Sequence, residues 1–371
     1  MSPKISANTA SIQQTIQSLL QQLIADGTER GMQVAAYCEG RLVVDAWAGI
    51  ANHQTGMTVD GDTLFPVFSV SKGLAATVVH RLVERGELSY DSPIAEIWPE
   101  FTAHGKERIT LRQGLSHTAG LPYMPKGIGY AELADWKRMC AAIAGLTPAW
   151  TPGSRAQYHA ITYGWIVGEP ACRATGHSFP DLLQEEIVKP LGMEAMYLGI
   201  PDQVESRVAL LEDYNKEFVP PDDTQPQSIP GWTQPLHTMM NRPDMWHACL
   251  PATTGIMSAR ALARHYAALL PGGVDGVELL PPERVFEATA WQKLDAPAKG
   301  YSDKLLGYQP VGEFEPGRKV ARFGHGGHGG AIGFADLERR LAVAVTKNLF
   351  NKHDSTGRIL LELDKAFPGK E

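Results

Sequence analysis

The 371-residue sequence has only four cysteines, Cys38, Cys140, Cys172 and Cys249, and no C-x-x-C pair among them. That excludes a disulfide framework and a zinc ribbon, and fits buried free thiols in a reducing compartment. Long apolar runs are missing too. None approaches the roughly 18 residues that suggest a membrane span. The first residues, Met1-Ser2-Pro3-Lys4, lead into a polar stretch and not into an apolar signal-peptide core. A soluble, cytoplasmic protein with no membrane partner is expected. Positive charge is not in excess: 34 Lys and Arg against 41 Asp and Glu leave a net charge of −7. This argues against nucleic acid or an anionic membrane as a main partner. Several catalytic signatures are also absent. There is no P-loop and no G-x-S-x-G elbow, because Gly114-Leu115-Ser116-His117-Thr118 ends in the wrong residue. Gly324 to Gly329 satisfies G-x-G-x-x-G in form, but strand-like Ala331 to Ala335 follows where a dinucleotide site needs a helix. His325 and His328 lack an H-E-x-x-H context or a nearby acidic ligand, so no metal and no cofactor is expected.

What is present is an ordinary globular composition, 43% hydrophobic and 20% charged. The length suits one large domain or two intertwined ones, with a core that needs no staple. Ile12, Ile16, Leu19, Leu20, Leu23 and Ile24 repeat at helical spacing. Ser11 and Gln14 resemble a capping box, and the helix should end near Gly27. Residues 31–50 read as a β-hairpin turning at Glu39-Gly40. From Pro66 to about 250 the pattern is helical. Val70, Leu74, Val78 and Leu82 lie four apart, with Gly86 as a stop. Thr110 to Pro122 reads as a short helix and structured turn, and Asp181 to Lys189 as a helix stopped by Pro190. Residues 218–252, rich in Pro, Met and Trp, read as a long loop of the kind that often carries function. A helix should follow Ser258, then strands Lys319 to Phe323, Ala331 to Ala335 and Leu341 to Val345, then a helix over 357–367. No repeat or low-complexity segment interrupts the chain. Both chain ends therefore carry strands, and they are expected to share one sheet around a helical middle.

The strongest chemical signal is Phe68-Ser69-Val70-Ser71-Lys72-Gly73, which opens an apolar helix. Residues three apart share a helix face, so Lys72 can approach the Ser69 hydroxyl. A serine needs a nearby base to become a nucleophile, and a lysine serves only when its pKa is lowered. Unpaired N–H groups at the helix start can stabilise an oxyanion. Alone, S-x-x-K is weak, and a capping serine beside a solvated lysine explains it equally well. Further along stand Tyr158, in a turn entering a helix, and the glycine-rich edge Phe323-Gly324-His325-Gly326-Gly327-His328-Gly329-Gly330. Glycines there let a ligand or another backbone approach closely.

Taken in order, these motifs resemble the serine β-lactamase and penicillin-binding-protein superfamily. The likeness is to its class C-like branch, which includes family VIII carboxylesterases and lovastatin-type transacylases. It rests on Thr63 to Lys72, Arg81 to Leu88, Leu115 to Pro122, Pro152-Gly153 through Tyr158, Lys189 to Met193, Gly255 to Ala263 and Phe323 to Gly327. The resemblance implies an α/β (α+β) chain of β-lactamase/transpeptidase-like fold, an antiparallel sheet flanked by helices plus a mainly helical domain. Residues 1–66 and 255–371 would form the sheet domain and 67–254 the helical one, with the site in the cleft between them. Ser69 would be the acylated nucleophile, and Lys72 and Tyr158 would share its proton. The N–H groups of Ser69 and His328 would form the oxyanion hole. His325, Gly326 and Gly327 would occupy the place of the family's K-T-G strand motif.

Two departures matter. His325 stands where that motif has lysine, and a largely neutral imidazole is a poorer carboxylate anchor. Tyr158-His159-Ala160 lacks the asparagine of the family's Y-x-N pattern. Both weaken a β-lactamase or D-Ala peptidase reading and leave acyl transfer intact. A carboxylesterase acting on a small-molecule ester or acyl donor is therefore expected, with a secondary-metabolism transacylase as the alternative and a silent binding protein last. Homo-oligomerisation stays open. His159, Trp232 and Met239 are the expected substrate-binding residues beyond the strand motif. Tyr123, Trp136, Trp150, Met240 and Trp246 are weaker candidates, and His117 is expected to be structural.

Overall fold

The expected hairpin forms, and its turn explains why. In the computed structural model, which describes residues 3–214 and 224–369 and the side chains from residue 9 onward, β1 (Gly31–Cys38) runs into β2 (Arg41–Asn52) through Glu39 and Gly40. Both turn residues have positive φ, 49° and 74°, as a two-residue hairpin loop requires. The remaining strands are β3 (Met57–Thr58), β4 (Phe65–Phe68), β5 (Met196–Leu198), β6 (Glu212–Asp213), β7 (Gly255–Met257), β8 (Gln309–Pro310), β9 (Arg322–Gly326), β10 (Ile332–Asp336), β11 (Leu341–Lys347) and β12 (Leu349–Phe350).

Strands from both chain ends build one seven-stranded sheet, in the order β3-β2-β1-β11-β10-β9-β8. Every neighbouring pair in it is antiparallel. The central pair β1–β11 joins the two ends, with Val34 opposite Val345. Strand β1 is buried at all eight positions, because helices cover both faces of the sheet. On one face α1 (Pro3–Ala25) and the C-terminal helix Ser355–Ala366 pack Ile16, Leu20, Leu23, Ile359 and Leu363 against Val34, Val343 and Val345. On the other, helix Ala259–Ala267 packs Leu262 and Tyr266 among Ala35, Tyr37 and Ala344. The period-2 alternation of strand side chains thus feeds two separate cores.

A second sheet, β4-β7-β5, is antiparallel throughout. The domain border expected at 66/67 falls inside β4, and that at 254/255 falls at the start of its partner β7. From β4 the chain turns into α2 (Ser71–Glu84), which ends at Gly86 with φ +75°. Helix α3 (Leu111–Leu115) begins with a capping box between Thr110 and Gln113.

Several boundaries differ from the sequence reading. Ser11 and Gln14 lie inside α1, which starts eight residues earlier, so they cap nothing. The helix expected over 181–189 is α-helical over Phe179–Leu183 and widens to a π turn over Gln184–Val188. Of the expected loop 218–252, residues 218–223 lie outside the described residues. The rest holds short helices at Leu236–Met240 and Pro243–His247. Strand β9 sits three residues later than expected, because pairing with β10 outweighs the low strand propensity of Gly324 and Gly326.

Candidate active site

Strand β4 delivers the nucleophile through a strained turn. Phe68 has φ +49°, a conformation that bulky residues rarely adopt and that costs on the order of 1–3 kcal/mol. Ser71 holds the turn in place: its hydroxyl donates to Phe68 O and accepts the Gly255 N–H at 2.8 Å. Ser69 is thereby presented ahead of the first turn of α2, and half-buried.

Lys72 is fully buried. Its Nζ lies 3.2 Å from Ser69 Oγ, 2.7 Å from Ala160 O and 2.8 Å from Ala252 O. Burial pushes its pKa well below the ordinary lysine value, since desolvation penalises the ammonium. The two carbonyls can only accept. They take both N–H bonds of a neutral amine and leave its lone pair facing the Ser69 hydroxyl. This is the arrangement of a base.

Tyr158 lies in the extended segment before helix Tyr163–Thr175. Burial raises its pKa, outweighing the lowering effect of the nearby Ser69 side chain, so the phenol keeps its proton. Lys72 Nζ stands 4.8 Å from the centre of its ring. His117 packs at a tilt against the ring, 4.9 Å between centres, and accepts the His159 N–H at Nδ1.

Strand β9 and the glycines after it face Ser69. A Cβ at Gly327 would strike the carbonyl oxygen of Val67, so only glycine lets this segment approach the turn. Among the described residues, neither the Ser69 nor the His328 N–H is taken by another backbone carbonyl. His325 is buried and neutral. Gly326 O can only accept, so His325 Nδ1 carries the proton and Nε2 accepts from the Gln309 amide at 2.8 Å. Burial lowers its pKa to about 3.

Ser69, Tyr158, His325, Gly326, Gly327, His328 and Met239 line one cavity of about 430 Å³. Phe68, Ile229 and Leu236 give it an apolar wall, and Lys304 and Gln309 add polar groups. A larger cleft of about 720 Å³ elsewhere holds Arg260 and Arg264, both already tied to carboxylates. It contains none of the groups just described.

Two expected substrate contacts fail. His159 accepts the Leu121 N–H at Nε2 and donates from Nδ1 to Gln157 O. Both nitrogens are occupied in fixing the loop, and its ring lies outside the cavity lining. Trp232 packs edge-on against Tyr130, 5.1 Å away, and also misses the lining; Ile229 and Leu236 from the same segment take that place. None of Tyr123, Trp136, Trp150, Met240 and Trp246 lines the cavity. Trp136 donates to Glu169 and Trp246 to Met240 O. Sequence reasoning missed Lys304 and Gln309, which belong to no motif. It also missed the Ala160 and Ala252 carbonyls, which no side chain announces.

A half-buried serine beside a buried lysine and a tyrosine, in the cleft between an antiparallel sheet and a helical layer, defines a serine acyl-transfer enzyme. The Beta-lactamase family model matches residues 16–366, and the chain belongs to that family. It is 33% identical over 346 residues to "Esterase/beta-lactamase LipL" of Mycobacterium tuberculosis, covering 86% of this chain and 77% of that protein. A solved family VIII carboxylesterase superposes with a TM-score of 0.84 at 28% identity, covering 96% and 97% of the two chains. A penicillin-binding protein homologue from Caulobacter crescentus gives 0.80 at 30% identity, covering 98% of each. The fold is β-lactamase/transpeptidase-like.

Proposed function

We infer that this chain hydrolyses carboxylic esters through an acyl-enzyme on Ser69. Ser69 Oγ attacks the ester carbonyl as its proton passes to the Lys72 amine. The Ser69 and His328 N–H groups receive the oxyanion. Collapse breaks the bond to the alkoxide, which takes a proton from the Lys72 ammonium by way of the Tyr158 phenol. Water then attacks the acyl-enzyme with Lys72 again as base, and the acid leaves. The observation that carries this reading is the Lys72 amine, its N–H bonds fixed by two carbonyls and its remaining face on Ser69 Oγ. Relatives named as esterases support the choice of ester. The neutral His325 supports it over β-lactams, because it offers their carboxylate no cation on strand β9.

The partner is then a small-molecule acyl donor, and the free cysteines support a cytoplasmic setting. Among the described residues no helix is long and apolar enough to cross a membrane. A transacylase would use the same acyl-enzyme with a non-water acceptor. Turnover of 4-nitrophenyl esters, compared with nitrocefin and repeated with added alcohol, tests the reading. Free acid as the main product with slow nitrocefin turnover is expected. Nitrocefin turnover equal to that of esters, or a new ester as the main product, overturns it.

A further inference from the structure

The cavity holds a lysine that no motif predicts. Lys304 lines it beside Ser69, Tyr158 and His325. Its Nζ stands 5.8 Å from the Tyr158 ring centre, so the side-chain nitrogens of Lys304 and Lys72 both lie near that one ring. The backbone beneath it is fixed. Buried Ser302 donates to Ser116 O and accepts the Lys304 N–H at 3.0 Å. Leu305 and Leu306, which follow, are wholly buried. The side chain is 15% exposed.

Its present partner is weak. Lys304 Nζ pairs at 2.8 Å with Asp303, whose carboxylate side chain is 65% exposed. An exposed pair of this kind exchanges readily. Among the described residues no Asp or Glu lines the cavity. Lys72 is saturated by its own three partners, and both His325 ring nitrogens are engaged. Among the described residues, Lys304 is the only lysine or arginine in the lining.

We propose that Lys304 is a specificity-determining residue that binds a carboxylate carried by the substrate, so that half-esters of short dicarboxylic acids are preferred to neutral esters of the same length. The proposal rests on the esterase reading above and names its substrate class. The geometry sets the linker. Ser69, Tyr158 and Lys304 line the same cavity, with Lys304 Nζ 5.8 Å from the Tyr158 ring centre, so the carboxylate would sit across the Tyr158 side of the cavity from the reacting carbonyl. A chain of a few methylenes spans that distance, and Phe68, Ile229, Leu236 and Met239 offer it an apolar wall.

The test compares 4-nitrophenyl hydrogen glutarate with 4-nitrophenyl pentanoate, in wild type, Lys304→Met, Lys304→Arg and Asp303→Asn, with melting temperatures to confirm folding. Lys304→Met should lower kcat/KM for the glutarate at least about tenfold more than for the pentanoate, chiefly through KM, as loss of a charged hydrogen bond does. Lys304→Arg should restore most of the difference. Asp303→Asn, by releasing the ammonium, should raise the glutarate-to-pentanoate ratio. Equal losses on both esters, or no loss, overturn the role of Lys304 and leave the esterase reading standing. A wild type that acylates with neither ester overturns both.

Discussion

Burial strips Lys72 of the solvent that keeps ordinary lysines protonated, and no carboxylate replaces it. The sign for activity follows. The reactive form is the neutral amine, so kcat/KM should rise with pH through an ionisation below 10.5, the ordinary lysine value from which Lys72 is lowered. Lys72→Arg should abolish both turnover and that rise, because a guanidinium stays charged. Tyr158→Phe should cost about 10²–10⁴-fold in kcat, the usual worth of a positioned proton donor. Combining it with Lys72→Met should cost far less than the product of the two, since they move one proton. His159 behaves differently. His159→Leu leaves the Leu121 N–H and Gln157 O unpaired, each worth about 1–3 kcal/mol. Its melting temperature should fall while KM for esters changes little; a selective KM effect would return His159 to the substrate site.

Two elements must approach closely for the site to exist, and each brings its half by a different device. The β4–α2 turn presents Ser69 through the strained Phe68, and β9 approaches it because Gly327 has no side chain. Gly327→Val should push the end of β9 off the Val67 carbonyl and displace the His328 N–H. Losing one oxyanion donor costs on the order of 10²-fold in kcat. Steady-state kinetics beside a thermal melt would check this, and a fall in stability without a fall in kcat would contradict it. This juxtaposition also marks how far the sequence could be read. Ser69, Lys72, Tyr158 and the glycine edge were legible because their chemistry needs particular side chains at fixed offsets. Lys304 was not, because a lysine in a loop looks like any solvated charge until the fold turns it inward. Trp232 was over-read: an aromatic in a functional segment packs against Tyr130 instead. The position of β9 depended on its partner β10, which local propensity does not report.

The pairing of β1 with β11 closes the molecule, so both chain ends must be in place before the cleft forms. Buried Lys347 and Glu29, 2.5 Å apart, clasp that junction. Lys347→Met would leave Glu29 as an uncompensated buried charge, a loss of about 3–5 kcal/mol. Acid sensitivity is also built into the whole. Burial lowers His80, His265 and His325 to about 3 and His159 to about 4. Between those values and the ordinary histidine value near 6.5, the unfolded chain binds protons that the folded chain refuses. Stability should therefore fall as pH drops from about 6.5 towards 4, by about 1.4 kcal/mol per pH unit for each such histidine. Melting temperatures across that range would show the slope, and a flat profile would contradict neutral burial of these rings. The cleft's general layout was legible at this level too, since strands at both termini around a helical middle leave few arrangements other than a shared sheet.

The most direct measurement is intact-protein mass spectrometry after mixing with a 4-nitrophenyl ester, on wild type and Ser69→Ala. A transient adduct of one acyl group in wild type, absent in Ser69→Ala, is predicted. An adduct that persists in Ser69→Ala, or ester turnover that survives the substitution, would contradict an acyl-enzyme on Ser69.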